Sequence, residues 1–124
     1  MSLADIPRPD LPEPVAAYVR ATNAGDLDAL VETFAEHAMV NDQLREYWDK
    51  QAITEWAARD IIDQHLTMDV QNVVTNNGQI VVTAILDGSF DRRGLPEPLV
   101  VAFYFSVRGD KIVQLLILRN ESDE

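Results

Sequence analysis

The apolar periodicity of this chain changes once, near Leu66, and that switch limits the folds open to it. Before it, apolar residues recur at helical spacing. The sets are Val15, Tyr18, Val19 and Thr22; Leu27, Leu30, Val31 and Phe34; and Ile53, Trp56, Ala57 and Ile61. After it the pattern is that of strands, at 66–74, 79–90, 99–107 and 111–119. Asn76-Asn77-Gly78 predicts a tight hairpin turn between the first two. Arg108-Gly109-Asp110 turns between the last two. Helices followed by a run of antiparallel strands predict an α+β fold.

Punctuation refines the first half. Pro7, Pro9, Pro12 and Pro14 make residues 1–12 an extended arm. The first helix follows from about Glu13 to Ala24. Gly25 suits the left-handed position after a helix end, and Asp26 suits the cap of the next helix. Ala38–Asp42 is a short strand, with extended character again at 45–48, and a third helix starts near Asp49. Residues 13–120 form one domain, and 121–124 are an acidic tail.

A chain of 124 residues can bury a core without disulfides or metal. It has no cysteine, which excludes thiolate nucleophiles and cysteine zinc sites. The formal charge of -11 argues against nucleic acid and anionic lipid as partners. Arg92-Arg93 is the only adjacent basic pair. The N-terminus lacks the basic-then-apolar order of a signal peptide, so a cytoplasmic location is expected. His37 and His65 have no ligand-like spacing, so no metal site is expected.

Several strands are apolar on both faces. Ile80, Val82, Ala84 and Leu86 line one side of a strand, Val81 and Ile85 the other, and residues 115–118 are all apolar. Helices covering one face would leave a second apolar face in water, so a homodimer packed through the sheet is expected.

The order of helix, Asn23-Ala24-Gly25-Asp26-Leu27-Asp28-Ala29-Leu30, Phe34-Ala35-Glu36-His37-Ala38, third helix and closing Gly109-Asp110-Lys111-Ile112 strand resembles the nuclear transport factor 2-like superfamily. Within it, the chain looks like the SnoaL-like and ketosteroid-isomerase-like group. The resemblance spans roughly residues 13 to 120. It implies a cone-shaped α+β roll, with three N-terminal helices in the concave face of a curved, mostly antiparallel sheet around an apolar pocket. It also implies a dimer.

Compared with ketosteroid isomerases, Ala17-Tyr18-Val19 matches the segment of the oxyanion-donating tyrosine. Residues 38–42 match the segment of the aspartate base, here Asp42. Phe103 stands where those enzymes carry a protonated aspartic acid; that arrangement is a well-known worked case of paired acid chemistry. Compared with limonene-epoxide hydrolases, Asp87 is retained, but Ile85 replaces an arginine and Ile117 a second carboxylate, which excludes that activity.

The chemistry of the pair also stands on its own. An aspartate of reference pKa about 3.9 is a poor base at neutral pH. Burial among Phe34, Trp56, Phe103 and Phe105 would raise it. Tyr18, protonated at neutral pH, can donate to a developing enolate oxygen. The expected function is binding of a small, largely apolar molecule and cofactor-independent proton transfer next to a carbonyl, as in isomerisation, dehydration or cyclisation. Asp42 and Tyr18 are the candidate catalytic residues. Phe34, Trp56, Asp87, Phe103, Phe105 and Arg119 are candidate substrate contacts, with Arg119 suited to an anionic group. Each also has a structural reading: Tyr18 as core, Asp42 as a turn residue, Asp87 and Arg119 as strand ends. The alternative function is a non-catalytic ligand-binding or dimerisation module, with the cavity plugged by Trp56, Phe103 and Phe105.

Overall fold

The computed structural model describes residues 11–91 and 93–119. Most of the extended arm over 1–12 and the tail over 121–124 lie outside them. Over the described residues the chain forms three helices and six strands in one curved open sheet. Helix α1 (Glu13–Ala24) ends at Gly25 in the left-handed conformation, φ 68°. Helix α2 (Leu27–Glu32) is capped by Asp26, whose carboxylate accepts from the Ala29 N–H at 3.1 Å. Asn23 ties the same junction to the sheet. Its side-chain oxygen accepts from the Met68 N–H at 2.7 Å and its amide donates to the Met68 carbonyl at 3.1 Å.

Phe34 does not extend α2 as its spacing predicts; it opens strand β1 (Phe34–Asp42). Thr33 turns the chain, its hydroxyl donating to the Leu30 carbonyl at 2.7 Å, while its own carbonyl accepts from Ile112 N–H at 2.8 Å. Pairing with the distant strand therefore outweighs the local helical pattern. β2 (Arg45–Trp48) follows, then α3 (Asp49–Ala57), which continues as one π-helical turn over Ala58–Ile62. The remaining strands are β3 (Thr67–Asn76), β4 (Gln79–Asp87), β5 (Leu99–Arg108) and β6 (Lys111–Arg119).

The strand order is β2-β1-β6-β5-β4-β3. All neighbours are antiparallel except β1 and β6, which run parallel. The β3–β4 turn has Asn77 at φ 54° and Gly78 at φ 82°, a left-handed pair whose twist suits a two-residue hairpin. One sheet face carries the core: Ala38 and Val40 from β1, Ile80, Val82 and Ala84 from β4, Val101, Phe103 and Phe105 from β5, and Ile112, Leu115 and Ile117 from β6. Val15, Tyr18, Leu30, Ile53, Trp56 and Ile61 from the helices are buried with them. No helix among the described residues is long and apolar enough to cross a membrane.

Candidate functional site

Asp42 reaches the site through strand alternation. Ala38, Val40 and Asp42 share one face of β1, and the first two are fully buried. Asp42 is the last inward residue before a turn made by Gln43 and Leu44, both at positive φ. Asn41 fixes that turn by accepting from the Leu44 N–H at 2.9 Å. Register does the rest. Asp42 pairs with Ile117 on β6, Ile117 with Phe103 on β5, and Phe103 with Val82 on β4. The carboxylate therefore heads a row of apolar side chains across the sheet.

Tyr18 comes to the same place from α1. It is 1% exposed, with its ring edge-on to Phe34 at 6.0 Å and to Phe105 at 5.2 Å, and tilted on Phe103 at 6.3 Å. Helix α3 supplies Trp56, whose indole N–H donates to Asp42 Oδ2 at 2.9 Å. The π-helical turn supplies Asp60 and Ile61.

These side chains border one cavity of about 410 Å³. Its wall is completed by Gln43, Leu66, Leu86, Phe90, Leu95, Leu99, Val101, Phe103, Ile117 and Arg119. Phe90 and Leu95 come from the β4–β5 loop. That loop starts where Gly88 lies so close to the 64–65 backbone that an added Cβ would stand 2.7 Å from the Gln64 carbonyl oxygen.

Of the residues singled out in the sequence, Tyr18, Asp42, Trp56, Phe103 and Arg119 meet at this cavity. Phe34 and Phe105 do not border it; both are fully buried behind Tyr18. Asp87 is exposed at the end of β4, its carboxylate accepting from the Gly88 N–H at 2.8 Å. Sequence reasoning missed Asp60, Gln43, Phe90 and Leu95. Asp60 sits four residues after Trp56 on the same helical face, a spacing that would have flagged it. Loop residues such as Phe90 and Leu95 carry no comparable periodic signal.

Burial raises the Asp42 carboxyl above its ordinary value. The Trp56 hydrogen bond opposes that rise, the Asp60 charge adds to it, and Gln43 and Arg45 oppose it. Burial, then the Asp42 charge, pushes the Tyr18 phenol up as well, so it stays protonated and can act as a donor. The arrangement offers a carboxyl with raised proton affinity and a neutral phenol on one apolar cavity. Among the described residues no group of three or more His, Asp or Glu side chains is arranged to hold a metal ion.

Comparison with known proteins agrees with this architecture. No curated protein matches the chain in sequence. Among solved structures, it is similar to a Sinorhizobium meliloti protein whose name proposes a polyketide cyclase. The two share 27% identity over 90% of this chain and 99% of the other, with a TM-score of 0.79. A Catenulispora acidiphila protein described as having a ketosteroid isomerase-like fold, in complex with trimethylamine, is 21% identical. It covers 86% of this chain and 84% of its own, with a TM-score of 0.70. SalBIII, described as an epoxide hydrolase/cyclase-like enzyme in pyran ring formation in the polyether salinomycin, is also 21% identical. Its coverage is 87% of this chain and 88% of its own, with a TM-score of 0.72. Residues 15–115 match the SnoaL-like domain family. The chain therefore belongs to the SnoaL-like family of the nuclear transport factor 2-like superfamily.

Proposed function

We propose that the protein binds a small, largely apolar molecule in this cavity and moves a proton next to its carbonyl without a cofactor. Asp42 takes the proton and Tyr18 donates a hydrogen bond to the enolate oxygen that develops. The observation that carries this reading is that Tyr18 and Asp42 border one cavity of about 410 Å³. That volume suits a bicyclic molecule. Isomerisation, dehydration and cyclisation all proceed through such a step, and the cyclase names of the S. meliloti protein and of SalBIII agree with the last.

In this reading the sheet and helices form the cone-shaped roll of the family. Two copies meet through the outer sheet face, and the absence of cysteine suits a reducing cytoplasm. Cyclic ketones and enones incubated with the protein in heavy water should exchange their α-protons, followed by NMR. Asp42→Asn should slow that exchange roughly 10²–10⁴-fold. Wild-type protein that exchanges no substrate faster than Asp42→Asn would overturn the reading.

One observation favours the alternative of a non-catalytic binding module. By resemblance, Phe103 stands where ketosteroid isomerases carry a second oxyanion donor, and it borders the cavity. Tight binding of apolar ketones without exchange would decide for that alternative.

A further inference from the structure

The indole of Trp56 is held at its N–H by Asp42 and on its ring by Tyr47. Trp56 is 1% exposed and comes from the buried stripe of α3. Its ring lies 6.1 Å from that of Tyr47, inclined at 31°. Tyr47 is held in turn: Arg59 places its guanidinium 5.6 Å from the ring centre and donates from Nη2 to the hydroxyl at 3.0 Å. Arg59 also holds Asp60 through Nε at 2.9 Å and Nη2 at 3.0 Å. The chain of contacts Asp42–Trp56–Tyr47–Arg59–Asp60 leaves the cavity at one carboxylate and returns to it at another.

We propose that Trp56 is a positioning residue for Asp42, engaging Oδ2 so that Oδ1 is the oxygen that accepts the substrate proton. This rests on the reading of Asp42 as a base. An indole N–H is only a donor, so the oxygen it engages must present a lone pair in either protonation state. The carbonyl oxygen of a neutral acid is the better acceptor, so the Trp56 contact to Oδ2 favours the proton on Oδ1. In the step, the substrate C–H bond breaks and an Oδ1–H bond forms. The electron pair of the C–H bond passes into the enolate, whose oxygen accepts from the Tyr18 hydroxyl. Return of the proton from Oδ1 to another carbon restores the carboxylate.

A donor to a carboxylate favours its ionised form. Trp56 thus holds down a carboxyl that burial alone would carry higher. The charged and titratable groups facing Asp42 from the neighbouring elements are Asp60 from the π-helical turn, Arg45 from β2, Tyr18 from α1 and Arg119 from β6. Asp60 opposes ionisation of Asp42 and Arg45 favours it.

The test needs no substrate. The carboxyl carbon of Asp42 and the indole N–H of Trp56 are followed by NMR across a pH titration. The expected result is that the Trp56 indole signal moves with the Asp42 midpoint and stops moving in Asp42→Asn. Trp48 is the control, because its indole donates to the exposed Glu46 at 3.2 Å instead. Trp56→Phe, which keeps an aromatic ring and deletes the donor, should raise the Asp42 midpoint by about one pH unit. An indole signal indifferent to Asp42, or a midpoint left in place by Trp56→Phe, would overturn the assignment. If Trp56→Phe fails to fold, the titration of the native indole decides alone. Ketones left unexchanged beside a shifted midpoint would sink the base reading and support the Trp56 contact. Exchange beside an unshifted midpoint would sink the role of Trp56 alone.

Discussion

Asp42 illustrates how one residue couples chemistry to stability. Its carboxyl is raised in the folded state because burial disfavours the anion more than Trp56, Gln43 and Arg45 favour it. A group whose pKa rises on folding contributes most at low pH, where both states are protonated. Its contribution is complete below the unfolded value of 3.8 and is lost as pH climbs through the higher folded value. Asp42→Asn removes this liability and keeps an oxygen for the Trp56 indole. The variant should therefore gain stability over wild type as pH rises from about 4 toward neutrality, and match it more closely in acid. Urea unfolding at a series of pH values would check this. A stability difference that shrinks with rising pH would show that the carboxylate is not desolvated. For the proposed base, activity and stability would pull in opposite directions at this position, as they do where a site is built from a buried ionisable group.

The junction between α1 and α2 sets how a helix meets the sheet. Asn23 imitates a strand residue, offering an acceptor and a donor to both backbone groups of Met68. β3 is an edge strand, so those groups have no strand partner on that side. Asn23→Ala leaves them to water where they are accessible and unpaired where they are not. We expect a loss of about 1–2 kcal/mol in chemical denaturation, with the α1 end of β3 losing hydrogen-exchange protection first. Equal loss of protection across the whole sheet would mean that the contact is not local. The π-helical turn matters on the same scale. Wider turns of this kind recur at functional sites, and here one delivers Asp60 and Ile61 to the cavity beside Trp56.

At the scale of the molecule, the outer sheet face carries an apolar patch on its central strands. Val81 pairs with Tyr104 and Tyr104 with Leu116; Ala102 pairs with Leu118, and Ile85 with Val100. All are partly exposed and lie on the face opposite the core. A contiguous apolar patch of this kind suits association between copies, and a two-fold contact would cover it on both. The proposed homodimer predicts that Leu116→Arg sediments as a folded monomer at micromolar concentration while wild type sediments as a dimer. Wild type sedimenting as a monomer would remove the proposal. The charge of -11 acts at this scale too, making the acidic surface of one copy repel another, so the proposed contact would have to form at the apolar patch.

Local pattern determined most of the elements. The helical stripe from Ile53 to Ile61, the Asn77-Gly78 turn and the Gly25-Asp26 junction are short-range signals, and each is realised in the fold. Asp42 is singled out in the sequence as the carboxylate of the short strand over 38–42 and by resemblance to the ketosteroid isomerase base segment; that it points inward beside Ala38 and Val40 is seen in the fold. Phe34 shows the limit. Its helical spacing is real, but backbone pairing with a strand nearly eighty residues away draws it into β1. Which aromatics border the cavity was a tertiary decision. Phe103 and Phe105 share a face of β5, and only the register that sets Phe103 beside Ile117 and Asp42 separates a cavity wall from a core filler. Asp60, Phe90 and Leu95 likewise reach the site through a helical irregularity and a loop. A cavity is bounded by residues from many parts of the chain, and no local pattern encodes their convergence.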